Sequence, residues 1–125
     1  MLIAILYWWS FSALILTKIA DVVSTLRSVP PDAESNPYAR ILFRRFGFKG
    51  GLAIVSLLFL AIVITQFFTV WSLQSPPLLI ANTLLGFLIS WIQWEVARFN
   101  TTQSPTRITS LILHSYSAWN RWSKK

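Results

Sequence analysis

The chain has 125 residues, of which 54% are hydrophobic and only 12% charged, whereas soluble domains carry roughly a quarter charged residues. A chain this short has too little left over to cover long helices that are apolar all round, which argues against a soluble globular fold. With no cysteine, disulfides, thiolate metal sites and a Cys nucleophile are excluded, and the redox compartment is unreadable. The net charge of +7 would suit nucleic acid if the basic residues stood free beside stacking aromatics, but here the aromatics lie in apolar runs, which excludes that partner.

The first predicted helix covers about residues 2–26. Its first sixteen residues are almost wholly apolar, with Tyr7, Trp8 and Trp9 near one end, where aromatics often mark the headgroup level; Trp9 and Phe11 suit another subunit equally well. Ser10, Thr17, Asp21, Ser24 and Ser28 recur at spacings of three, four or seven and so share one face. Lipid cannot satisfy such a stripe, so it is expected to face protein or a wet cavity. The first basic residue, Lys18, follows the apolar run rather than preceding it, so the segment reads as a retained helix and not a cleaved signal peptide.

Ser28 to Ser35 is a loop broken by Pro30 and Pro31. Asn36-Pro37 reads as an N-cap followed by proline at the first helical position. Over about 37–46, Tyr38, Ile41, Leu42 and Phe46 fall on one side, with Arg40, Arg44 and Arg45 largely on the other, the pattern of a short helix lying in the membrane interface. Gly47, Gly50 and Gly51 are expected to let the chain turn.

From Gly50 to Trp94, 45 residues pass without an ionisable side chain. Ser75-Pro76-Pro77 divides this run into two segments of spanning length, about 52–73 and 77–96, since about 20 apolar residues cross the hydrocarbon core. In the third span Asn82, Gly86, Ser90 and Gln93 or Trp94 lie close to one face, a small and polar seam suited to close helix packing. Glu95 and Arg98 mark its exit, and Asn100–Thr106 reads as a polar linker. Asn100-Thr101-Thr102 matches the glycosylation pattern, but on the side expected to be cytoplasmic it is a chance match. A last amphipathic helix, about 107–122, is too short and too polar to span and reads as interfacial.

The expected fold is therefore an all-α integral membrane protein, one membrane domain with three transmembrane helices and short interfacial helices. Basic residues cluster between the first two spans and after the third, while Met1–Thr17 and the Ser72–Pro77 turn hold none. The positive-inside rule then places the N-terminus outside and the C-terminus in the cytoplasm, or in the equivalent compartment of an organelle; a prokaryotic inner membrane is the expected location. Arg40, Arg44, Arg45, Lys49, Arg107, Arg121, Lys124 and Lys125 are expected to meet headgroups.

Two constellations are candidates for chemistry. Asp21 is an ionisable residue in a membrane helix, a default functional candidate, though Lys18 one turn away offers it a local partner. Glu34 and Asn36 lie on the same predicted side, so Asp21, Glu34 and Asn36 form either a polar site at the cytoplasmic membrane face or part of a structural clasp. Asp21-Val-Val-Ser24-Thr25 followed by Glu34-Ser-Asn36-Pro37 resembles a family of small prokaryotic multi-span membrane proteins of unknown function, with a D-x-x-S/T-T … E-x-N-P pattern. The resemblance covers about Asp21–Pro37 in detail and the remainder by hydropathy. It implies that Asp21, Thr25, Glu34, Asn36 and Pro37 act as a unit, and it carries no assigned activity.

Asp21, Asp32, Glu34 and Asn36 offer oxygen ligands without a recognised metal-loop spacing, so no metal is expected. His114 is the sole histidine and the weak candidate for holding a pigment or haem; a bis-His haem is excluded within one chain. No cofactor is expected beyond bound lipid. The leading functional expectation is an accessory or assembly subunit of a larger membrane complex. An enzyme or transporter using Asp21, Glu34 and Asn36, or a small pore-forming protein, are the competing classes.

Overall fold

A computed structural model describes residues 1–28, 37–102 and 107–122. Among these the chain is all helical: α1 (Leu2–Ser28), α2 (Pro37–Phe46), α3 (Phe48–Leu73), α4 (Pro76–Thr102) and α5 (Arg107–Trp122). Helices α1, α3 and α4, of 27, 26 and 27 residues, are long and apolar enough to cross a membrane. At 1.5 Å per residue each extends about 40 Å, beyond the ~30 Å hydrocarbon core.

Helix ends follow local chemistry. The α3–α4 turn closes with Gln74 in the left-handed region (φ 49°, ψ 29°), its N–H donating to the Trp71 carbonyl at 3.2 Å. Pro76 opens α4, where a missing N–H costs nothing, and the Leu79 N–H donates to the Ser75 carbonyl at 2.9 Å.

Three helices depart from their expected bounds. Helix α1 runs two residues past 26, to Ser28. Helix α3 begins at Phe48 rather than at 52, because Gly50 and Gly51 are helical and only Gly47, at φ 77°, turns the chain. Gly51 serves proximity instead: a Cβ there would stand 2.9 Å from both the Leu42 carbonyl carbon and the Phe43 nitrogen, so its absence lets α3 lie directly on the α2 backbone. Helix α4 starts at Pro76 and continues to Thr102, six residues past the expected end at 96. The hydroxyls of Thr101 and Thr102 donate to the Ala97 and Arg98 carbonyls one turn back, so a polar run that reads as linker stays helical.

The long helices have a definite relative sense. Tyr7 meets Asn82, Thr17 meets Gln93, and Ser24 and Thr25 meet Asn100. The separation stays at 75–76 residues along the whole contact, so α1 and α4 run parallel. Helix α3 opposes them, since Tyr7 lies on Phe67, Lys18 on Phe59, and Val22 beside Leu52. Helix α4 therefore pairs chiefly with α1 and only lightly with α3, its neighbour across the turn. Small residues on the α4 face explain the choice, because they admit α1 closely. At the same end as the basic residues of α2 lie Arg27 of α1, Lys49 of α3 and Arg98 of α4.

Two buried clusters result. One gathers Tyr7, Leu14, Val63, Phe67 and Leu79 toward the α3–α4 turn. The other joins Ala39 and Phe43 of α2 to Leu52 of α3 at the basic end.

Candidate functional site

The most developed arrangement of polar groups is the seam between α1 and α4. On α4 the buried residues Leu79, Asn82, Thr83, Gly86, Ser90 and Ala97 are linked by spacings of three, four or seven, one continuous face of a helix. On α1 the buried residues Tyr7, Ser10 and Leu14 stand three and four apart, and Ser24 and Thr25 return to the same face ten and eleven residues after Leu14. The stripe of hydroxyls thus faces protein, where its polar atoms find partners.

At one end Tyr7 is wholly buried, and its hydroxyl donates to the Phe67 carbonyl at 2.6 Å. The same oxygen accepts from Asn82 Nδ2 at 3.3 Å, while Gln66 Nε2 donates to Asn82 Oδ1. One cluster of three side chains therefore ties α1, α3 and α4 together. The burial of Tyr7 comes from α3, which brings an aromatic ring and a carbonyl from 60 residues away. Trp8 packs edge-on against Tyr7 and Phe11, and of the expected belt only Trp9 stands largely exposed, at 66%.

One turn farther, Gly86 lies against Ser10. A Cβ on Gly86 would sit 3.0 Å from Ser10 Oγ and 3.1 Å from Ser10 Cβ, so this is the closest approach of the two helices that the glycines reveal. Ser90 and Thr83 turn their hydroxyls onto the Gly86 and Leu79 carbonyls of their own helix. Midway, Thr17 Oγ1 lies 2.8 Å from Gln93 Oε1; Gln93 belongs to the seam, whereas Trp94 is 55% exposed. At the basic end Asn100 Nδ2 donates to Ser24 Oγ at 3.3 Å and Thr25 Oγ1 at 3.2 Å.

Asp21 has its own environment. Its carboxylate accepts from Lys18 Nζ at 2.9 Å, and both side chains are mostly covered. The Lys18 ammonium also stands 5.1 Å from the centre of the Phe59 ring, a cation–π contact that strengthens as water is withdrawn. The Asp21 carbonyl receives the hydroxyls of Ser24 and Thr25. Asp21 is therefore paired on its own helix. Glu34 and Asn36, like Asp32, Lys124 and Lys125, lie outside the described residues, and Pro37 opens α2. Among the described residues no group of three His, Cys, Asp or Glu side chains is placed to hold a metal ion.

The remaining site candidates are dispersed. Arg44, Arg45, Lys49, Arg98, Arg107 and Arg121 are exposed and Arg40 is half-buried. His114 is exposed on α5, its carbonyl accepting from Ser117. Glu95 presents a buried carboxylate oxygen, Oε2, with no hydrogen-bond partner. Sequence reasoning passed over Tyr7, Gln66, Thr83 and Asn100. For Thr83 and Asn100 a signal exists, because the three-and-four spacing of the α4 seam passes through 83 and carries on through 97 to 100. For Gln66 the signal is an amide in an otherwise apolar span, which lipid cannot satisfy, whereas nothing local distinguishes Tyr7 from a span residue facing lipid.

Comparison with protein-family models, curated proteins and solved structures finds no match for this chain.

Proposed function

We propose that the chain is a three-span integral membrane protein of a prokaryotic inner membrane, its N-terminus outside and its C-terminus cytoplasmic, acting as an accessory or assembly subunit of a larger membrane complex. The observation that carries this reading is the use made of the polar side chains on the spans. Tyr7, Ser10, Thr17, Ser24, Gln66, Asn82, Ser90, Gln93 and Asn100 all engage another part of the bundle or their own helix backbone. Groups spent on packing do not line a substrate path. Outward, by contrast, α1, α3 and α4 offer bulky apolar side chains, among them Trp9, Leu84, Trp91 and Trp94, each more than half exposed. Such faces suit lipid and neighbouring apolar helices.

Sidedness rests on the charge distribution. Parallel α1 and α4 with opposed α3 is the arrangement three successive crossings demand, and Arg27, Lys49 and Arg98 gather at the common end expected to be cytoplasmic. Kinship with the family of small membrane proteins carrying D-x-x-S/T-T … E-x-N-P belongs to the same proposal, as does bound lipid.

Affinity capture in mild detergent, followed by native gel electrophoresis, tests the reading. A stoichiometric membrane partner is expected; a lone chain migrating as a small monomer sinks it. The competing reading, an enzyme or transporter built on Asp21, Glu34 and Asn36, predicts that Asp21→Asn and Glu34→Gln abolish activity at unchanged abundance. If both variants merely lower abundance, those residues form a clasp.

A further inference from the structure

We propose that α2 is a platform for anionic phospholipid headgroups, held rigidly at the basic end of the bundle. The inference rests on the membrane-spanning reading above and adds a lipid class and a site to it.

The platform has an inner and an outer ridge. Ala39 and Phe43, one turn apart, are buried against Leu52, Val22 and Phe48. Gly51 removes the side chain that would otherwise hold α3 away from α2, and Phe43 meets Phe48 edge-on at 5.0 Å. The helix is thus fixed in rotation by its inner ridge. Rotation by two or five residues from that ridge brings Ile41, Arg44 and Arg45 to the opposite side, and all three are exposed.

Composition of that outer ridge selects the occupant. Residues 37–51 contain four basic side chains, Arg40, Arg44, Arg45 and Lys49, and no acidic one. Ile41 is 62% exposed on that ridge, and Phe46, which continues the inner ridge at the end of α2, is still 51% exposed, with the Arg45 guanidinium 5.6 Å from its ring centre. Guanidinium groups interleaved with apolar side chains suit a surface that offers phosphate oxygens above and acyl chain below. An acidic protein segment would satisfy the arginines and leave Ile41 and Phe46 in water. Level matters too: α2 sits at the first turns of α3, and a helix of about 40 Å carries those turns out of a ~30 Å core into the headgroup layer.

The chain lacks cysteine, so one introduced thiol reports on one place. An Ile41→Cys variant labelled with bimane is reconstituted into vesicles of phosphatidylcholine and phosphatidylglycerol, with bromine on the chains of one lipid or the other. Quenching by brominated phosphatidylglycerol is expected to exceed its mole share. Cations near the surface draw anionic over zwitterionic lipid, so adding Arg44→Gln and Arg45→Gln is expected to bring quenching by brominated phosphatidylglycerol down to about its mole share, while Arg44→Lys and Arg45→Lys keep most of the excess. Equal quenching by the two lipids, a preference that survives the double glutamine change, or no quenching by either lipid overturns the proposal. A second label at Ile62→Cys, a 64% exposed position in mid-α3, separates the two readings. If Ile62 is quenched and Ile41 shows no preference, only the platform fails; if Ile62 is not quenched, the membrane-spanning reading fails with it.

Discussion

Gly86→Ala adds a single methyl group at the tightest point of the α1–α4 seam. The new Cβ would lie 3.0 Å from Ser10 Oγ, 3.1 Å from Ser10 Cβ and 3.3 Å from Phe67 Cζ. Ser10 cannot swing aside, because it is wholly buried and its hydroxyl donates to the Tyr7 carbonyl at 2.8 Å. Relief must come from the helix backbones, and forcing an extra methyl into a packed site costs about 1–3 kcal/mol. Alanine's better helix propensity offsets up to about 1 kcal/mol. Taking the middle of the first range, the net loss is about 1 kcal/mol, close to a fivefold fall in the ratio of folded to unfolded chain. Moving the glycine across the interface tests the cause. In the Ser10→Gly/Gly86→Ala double variant both clashing Ser10 atoms are gone, and the Phe67 ring tip has room to give. Ser10→Gly alone costs about 0.5–1 kcal/mol by propensity, so additivity predicts the double variant to be the least stable of the set, whereas steric coupling predicts recovery to within about 1 kcal/mol of the parent. Reversible unfolding in mixed micelles, followed by circular dichroism, measures all four corners of the cycle. A Gly86→Ala protein as stable as the parent, or losses that simply add, would refute the close-approach account.

The other two helical glycines make opposite forecasts in the same assay. Gly50→Ala places its Cβ 3.5 Å from Phe46 Cβ, an ordinary contact, and is expected to stabilise by about 0.5–1 kcal/mol. Gly51→Ala meets α2 backbone at 2.9 Å and is expected to destabilise more than Gly86→Ala. Lys18→Leu strands the Asp21 carboxylate and is expected to cost about 3 kcal/mol, while the Lys18→Leu/Asp21→Leu pair returns most of it; a double variant no better than the single one would show the ion pair to be unimportant. Asn82→Leu breaks the links to Tyr7 and Gln66, with a loss of about 1–2 kcal/mol at two interhelical bonds; Tyr7→Phe and Asn82→Leu combined should then lose less than their sum. For sidedness, Ser75→Cys is expected to react with an impermeant maleimide from outside intact cells, and Lys49→Cys only after permeabilisation.

The long helices were legible because the absence of charge over 45 residues leaves few alternatives to a buried or membrane-embedded helix. Their ends were harder to see. Gly50 and Gly51 resemble a turn in isolation and become helical because α2 requires close backbone contact, a tertiary demand that overrides propensity. The run Asn100 to Thr102 looks like linker until its hydroxyls are allowed to bond back to their own helix. Each half of the seam was visible, the hydroxyl stripe on one helix and the small residues on another. That they face one another was not, since α3 is the nearer neighbour of both in sequence. The hydrogen bond of Tyr7 was not legible, because no local pattern announces a carbonyl 60 positions away. For Asp21 the local signal was sufficient, since its partner Lys18 sits one turn before it.

Parallel pairing of α1 with α4 also imposes an order of events during synthesis. The mating positions are 75–76 residues apart, and ribosomes add about 5–20 residues per second. Helix α1 therefore leaves the ribosome about 4–15 s before its mate. Throughout that interval Ser10, Thr17, Ser24 and Thr25 are carried by a helix whose counterpart has not yet been made. Three of these hydroxyls bond to carbonyls of their own helix, Ser10 to Tyr7 and Ser24 and Thr25 to Asp21, and Thr17 has the Ala13 carbonyl at 2.7 Å. These intrahelical bonds need nothing from α4. A stripe made of serine and threonine, rather than of asparagine or glutamine, thus lets the first-born helix wait.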